Sequence, residues 1–138
     1  MSFGRPVVVD TGVLVSAAIR PGSVPALALE KALLHFDICC SAETWQEVET
    51  VLMHDKFDRY LSLPQRLDFL RGLQTHLTSY EVNEAVTDCV DPQDNKFLAL
   101  AWTARAELII ASDPHLTTLH PWRDIPILPP AAFLVGVR

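Results

Sequence analysis

Three aspartates stand where a parallel α/β chain places chemistry. Asp10 closes the run Val7-Val8-Val9, Asp113 follows Leu108-Ile109-Ile110-Ala111, and Asp94 opens a stretch with apolar residues at Phe97, Leu98, Ala101 and Trp102. A fourth acid comes from the helix expected over 43–53. There the apolar stripe is Trp45, Val48, Val51 and Leu52, so Glu43, Glu47 and Glu49 all lie off it and helix geometry does not choose among them. Strand carboxyl ends and the N-termini of the helices that follow share one rim of a parallel sheet, which gathers these acids from distant parts of the chain. Bare carboxylates crowded together repel and hold some of their number protonated. A divalent cation relieves that repulsion, and an all-oxygen donor set suits Mg²⁺ or Mn²⁺ rather than zinc. Held in this way, such an ion activates water and stabilises charge on a phosphodiester.

Each acid also has a plainer explanation. Aspartate at a strand end or helix start caps backbone N–H groups and suits the helix dipole. Asp91, just before Pro92, reads as a turn residue of this kind. Thr11 supports a ligand or caps its turn; Lys96 and Arg20 either contact phosphate near the rim or are solvated surface charges. Lys56 and Arg59 are candidates for gripping RNA, with Asp55 as an alternative partner for Arg59. His115 and His120 have no partner at zinc-ligand spacing and read as loop histidines. Trp45 and Trp102 read as core, whereas Trp122, in a Pro-flanked loop, is the aromatic placed to meet a partner. No Gly-rich phosphate loop and no serine–histidine–acid arrangement offers a competing site.

The elements that must position the acids follow from hydrophobic pattern and punctuation. The β-branched run 6–10 is a buried strand, followed by a short helix over 13–19 that Pro21-Gly22 stops. Helix 23–34 starts on Ser23 with Pro25 in its first turn, and strand 35–40 follows. Ser41 caps the next helix, and helical segments are expected over 56–61 and 65–77, split near Pro64. Strand 79–82, helix 94–106, strand 108–111, edge strand 125–128 with Pro126, and a closing helix 131–135 complete the order. Alternating strands and helices imply right-handed crossovers and a parallel sheet of about five strands covered on both faces, a three-layer α/β/α sandwich.

Composition sets the outer bounds. At 138 residues, with 49% hydrophobic and 20% charged residues, the chain is expected to form one domain over 1–138. The three cysteines, Cys39 and Cys40 adjacent, read as reduced thiols of a cytoplasmic protein, and the N-terminal apolar run is too short for a signal peptide or membrane span. A net charge of −6 argues against tight metal-free nucleic-acid binding. It is compatible with a nuclease whose metal supplies the positive charge at the phosphate.

Beside this reading stands a resemblance. Val7-Val8-Val9-Asp10-Thr11 resembles the opening of PIN domains, in which threonine or serine follows a strand-end aspartate. The stretch SAETWQEVETVL (41–52) is similar to the helix carrying that family's second acid, and the alignment of Val51-Leu52 selects Glu47. DPQDNKFLALA (91–101) is the most specific match and gives Asp94 as the third acid; IIASDPHL (109–116) gives Asp113 as the fourth. The resemblance spans nearly the whole chain and is closest to VapC-like toxin components. It implies a Mg²⁺- or Mn²⁺-dependent endoribonuclease, with Asp10, Glu47, Asp94 and Asp113 as metal-binding catalytic residues. Thr11, Ser112 and Lys96, beside these acids in the sequence, are candidates for a supporting role. It further implies an RNA substrate, a homodimer and a cognate antitoxin protein. The chain departs from many relatives at Ala111, where they carry threonine, at His115, where they carry a further acid, and at Asn95, where some carry aspartate.

Two rival readings remain. A phospho-acceptor receiver domain needs an aspartate ending the third strand and a lysine ending the fifth, and Ser79-Tyr80-Glu81-Val82 and Leu128-Pro129 supply neither. A non-catalytic module of the same fold, binding RNA or a protein, is the second alternative.

Overall fold

The computed structural model describes residues 2–138. Its sheet has five strands, β1 (Pro6–Val9), β2 (Asp37–Cys40), β3 (Thr78–Ser79), β4 (Leu108–Ile110) and β5 (Ile127–Leu128), in the order β3-β2-β1-β4-β5. All neighbours pair in parallel. The chain winds outward from β1 to β3, then returns to β1's other side for β4 and β5. The reversal falls between β1 and β4, where the loops leaving the two strands diverge and open a crevice at their carboxyl ends.

Pleating assigns the faces. Val7 and Val9 look one way with Ile38, Leu108 and Ile110, against α1 (Thr11–Ile19), α2 (Val24–His35), α3 (Ala42–Leu52), α4 (Leu63–Gln74) and α7 (Pro130–Gly136). Val8, Cys39, Ile109 and Ile127 look the other way, against α5 (Asn95–Ala104) and Leu116 of the single-turn α6 (Pro114–Thr117). The expected α/β/α sandwich is therefore the observed one. The inner strands β1 and β4 are buried on both sides, so they read as unbroken apolar runs rather than alternating ones, whereas the edge strand β3 is exposed.

Local chemistry explains most boundaries. Ser23, Ser41 and Ser62 each accept a hydrogen bond from the backbone N–H three residues on, and the caps at Ser41 and Ser62 are reciprocated by Thr44 and Gln65. Pro64 was expected to split two helices. It sits instead in the first turn of α4, where its missing N–H costs nothing, so the helix starts earlier and ends at Gln74. The segment expected to be helical over 56–61 forms only a 3₁₀ turn, Asp55–Phe57. The third strand lies at Thr78–Ser79, short of the expected 79–82, because after Tyr80 donates its N–H to Cys40 the chain leaves the sheet edge. Residues 80–91 then run without regular structure, pinned by buried Val86 and Cys89 and by Trp122 Nε1, which donates to Asp88.

Two tryptophans depart from expectation. Trp122, a partner-contact candidate from its Pro-flanked loop, is buried, while Trp102, expected in the core, is 42% exposed and meets Trp122 edge-on at 6.1 Å. Arg123 lies over both rings. The three cysteines are free thiols, with Cys39 and Cys89 buried. Among the described residues no single helix is long and apolar enough to cross a membrane.

Candidate metal centre

Asp10 leaves β1 and caps α1. Its Oδ1 accepts from the N–H of Val13 at 2.9 Å, and its Oδ2 accepts from Ser112 at 2.9 Å and Asp113 at 3.3 Å. The capping role and a place in the centre are therefore not exclusive. A carboxylate offers about four lone-pair directions, so three backbone donors leave one free, on Oδ1. Burial pushes the Asp10 carboxyl above its ordinary range; the three N–H donors pull against that, and the charge of Asp113 adds to it.

Gly12 lets α1 start this close to the loop after β4. A Cβ at position 12 would lie 2.6 Å from Ser112 Oγ and 3.7 Å from Asp10 Oδ1, the first of which no real Cβ contact allows.

Asp94 ends the 3₁₀ turn Pro92–Asp94 and precedes α5, yet its side chain caps nothing. It is 8% exposed, and its Oδ2 is buried without a hydrogen-bond partner. Desolvation first, then the carboxylate of Asp113 beside it, push its pKa up to about 7. Asp113 caps α6 by accepting from the N–H of His115 at 2.9 Å.

Glu47 comes from the middle of α3. Thr11 Oγ1 donates to its Oε1, and Lys96 Nζ lies 2.7 Å from its Oε2. Of the three glutamates that the sequence left open on this helix, Glu43 and Glu49 are exposed and only Glu47 is half-buried. Asp10, Glu47, Asp94 and Asp113 line one cleft of about 390 Å³, together with Thr11, Gly12 and Ser112. Two other grooves, of about 400 and 500 Å³, contain none of the four acids.

The tightest grouping of ligand atoms is not that foursome. Asp91, Asp94, Asp113 and His115 each offer one donor, and these donors all lie within 4.8 Å of one another. Asp91 and His115 were expected to be a turn residue and a loop histidine. Asp91 does cap its turn, accepting from Gln93 N–H at 3.0 Å, but its Oδ2 also lies 3.9 Å from His115 Nδ1. Asp91 is the N-cap of the 3₁₀ turn that Asp94 ends, so the turn itself draws the two acids together. His115 lies two positions after Asp113 and 3.6 Å from it, but its other neighbour, Asp91, is 24 positions away in sequence and meets it only through the fold.

A divalent cation fits these residues. An unpartnered buried carboxylate oxygen costs free energy that a cation would recover, and the donors are the oxygen type that hard divalent ions take.

The sequence profile described as PIN domain matches residues 6–115 of this chain. The chain belongs to that family, and with it to a nuclease-type fold. An uncharacterized protein of Methanocaldococcus jannaschii is similar, 29% identical over 118 residues that cover 82% of this chain and 74% of the relative.

Proposed function

We propose that residues 1–138 form one PIN domain that acts as a Mg²⁺- or Mn²⁺-dependent endoribonuclease, with Asp10, Glu47, Asp94 and Asp113 as its catalytic metal-binding acids. The observation that carries this reading is the cleft at the β1–β4 reversal. It gathers four acids around a buried Asp94 oxygen that has no hydrogen-bond partner among the described residues. A bound divalent ion would supply activated water and charge stabilisation at a phosphodiester. Asp10, rigid through three backbone hydrogen bonds, fixes one side of the cleft. Thr11 orients Glu47, and Ser112, exposed at the rim, offers a hydroxyl to substrate. Lys96, held on Glu47, brings a positive charge to the edge where an RNA phosphate would enter.

We assign the chain to the toxin half of a toxin–antitoxin pair, as a homodimer restrained by a cognate antitoxin. The resemblance of its four acid-bearing segments to VapC-like proteins supports this. The test is cleavage of a mixed RNA pool by purified protein with Mg²⁺, Mn²⁺ or EDTA, beside Asp94→Asn. Metal-dependent cleavage lost in the variant is the expected result. Cleavage that survives EDTA or the substitution would sink the assignment, and folded, metal-loaded protein that cleaves nothing would favour a binding module.

A further inference from the structure

Three side chains of the ligand-atom cluster differ in setting from the deeper acids. Asp91 and Asp113 each have Oδ1 held by the backbone N–H two residues on, which fixes both carboxylates beside Asp94. His115 presents Nδ1 between them, 3.9 Å from Asp91 Oδ2 and 3.6 Å from Asp113 Oδ1. Both separations are too long for hydrogen bonds, so the imidazole nitrogen is committed to neither carboxylate. Donors bound to a first-row ion at about 2.0–2.2 Å stand roughly 3–4.3 Å apart; both separations fall inside that range. The cluster also contains Asp94, more than nine-tenths buried, whose Oδ2 has no hydrogen-bond partner among the described residues.

We propose that Asp91, Asp94, Asp113 and His115 form a mixed nitrogen–oxygen cation position at the mouth of the cleft, suited to a borderline transition ion of the zinc class rather than to Mg²⁺. The inference extends the reading of the cleft as a metal centre and rests on it for Asp94 and Asp113, which the two positions share. Imidazole nitrogen favours zinc-class ions, whereas all-oxygen sets suit Mg²⁺. A simpler arrangement, the His115 ring packed between its two carboxylate neighbours, accounts for the exposed side chains. It does nothing for the buried Asp94 oxygen. The Sγ of Cys89 lies 3.4 Å from the carbonyl of His115, tying the histidine's backbone to the 80–91 segment that delivers Asp91.

The test is a Zn²⁺ titration of the full chain, followed by long-range ¹H–¹⁵N spectra of the histidine rings. His35, His54, His76 and His120 serve as internal controls, and the same samples go to calorimetry with Zn²⁺ and with Mg²⁺. We expect a saturable displacement of the His115 Nδ1 resonance. His115→Ala should weaken Zn²⁺ binding by about tenfold or more and leave Mg²⁺ binding nearly unchanged, and His115→Asp should move the preference toward Mg²⁺. A His115 ring unmoved at saturating Zn²⁺, or equal Zn²⁺ affinity in wild type and His115→Ala, overturns the proposal. RNA cleavage is scored separately. An intact His115 shift without any cleavage overturns the nuclease reading alone, and cleavage without the shift removes only the mixed-donor position.

Discussion

The Oδ2 atom of Asp10 accepts the backbone N–H of Ser112 at 2.9 Å, across 102 residues of chain. The bond joins the exit of β1 to the exit of β4 at the point where the winding of the sheet reverses. The same carboxylate caps α1, so one side chain both closes the crevice and faces into it. Local capping and site chemistry are usually weighed as alternatives for an aspartate; here the cap is what makes the acid rigid.

That double duty separates Asp10→Asn from a neutral control. Asparagine has one acceptor oxygen and an NH₂ group that donates, so either Val13 N–H or the Ser112 and Asp113 N–H groups must face a donor. Relief of the burial cost of a charge offsets part of this. We expect a folded protein destabilised by about 1–3 kcal/mol, read as a lower Tm in the presence of EDTA. Cleavage should be lost at temperatures well below that Tm. An unchanged Tm would mean that the three backbone contacts contribute little.

Asp94 predicts the opposite sign. Its carboxyl is raised to about 7 by burial and by Asp113, against an ordinary value of 3.8. A raised folded-state pKa means the folded protein holds its proton more tightly than the unfolded chain. The resulting stability is complete below about 4 and is lost as pH rises through about 7. Without metal, Tm should therefore fall between pH 5 and pH 8, in the window set by Asp94. Saturating Mn²⁺ should flatten that fall, because the ion replaces the proton. Asp94→Asn should also flatten it and raise the metal-free Tm at pH 8, while abolishing metal binding and cleavage. A metal-free Tm that rises across this window would contradict the placement of Asp94.

Arg66 is the largest fully buried side chain, with Nη1 donating to the carbonyls of Leu52 and His54 and Nη2 paired with Asp58. It ties the end of α3 and the 3₁₀ turn to α4, and so sets the end of the helix that carries Glu47. Arg66→Ala leaves two carbonyls and a carboxylate without their donor and opens a cavity. The expected cost is about 3–5 kcal/mol, measured by denaturant unfolding. Arg66→Met keeps the volume and should recover part of it; equal costs for both variants would assign the effect to the lost donors and not to the cavity.

The apolar runs of β1 and β4, the serine caps and the Pro-marked turns made the α/β order legible, because each is a local signal with a local cause. Glu47 was not legible from helix periodicity, since Glu43 and Glu49 also lie off the apolar stripe. What singles it out is contact with Thr11 and Lys96, residues 36 positions before and 49 after it. Arg66 escaped notice because a buried guanidinium inside α4 looks like any exposed helical arginine until its partners converge. His115 was set aside for lacking a Cys or His partner at zinc spacing; Asp113 lies two positions before it, but Asp91 reaches it only through the fold. Strand ends and caps are written locally; pairings across the crevice are products of the topology.

Lys96 gives the last prediction. Its ammonium lies on Glu47 at 2.7 Å, with the two side chains 11% and 25% exposed, and it also donates to the carbonyl of Gln93. Removing it has two consequences of different size. Stability should fall by only about 1 kcal/mol, since the pair is partly screened and Thr11 still holds the carboxylate. Cleavage should suffer more, because the charge at the cleft edge is lost to the incoming phosphate. Lys96→Gln should therefore raise KM for RNA with a smaller change in kcat, and steepen the loss of activity with added salt less than in wild type. Lys96→Arg should restore the KM. A fall in kcat with KM unchanged would place Lys96 on the transition state instead of on substrate entry. A Tm loss that tracks the activity loss in both variants would reduce its role to holding Glu47.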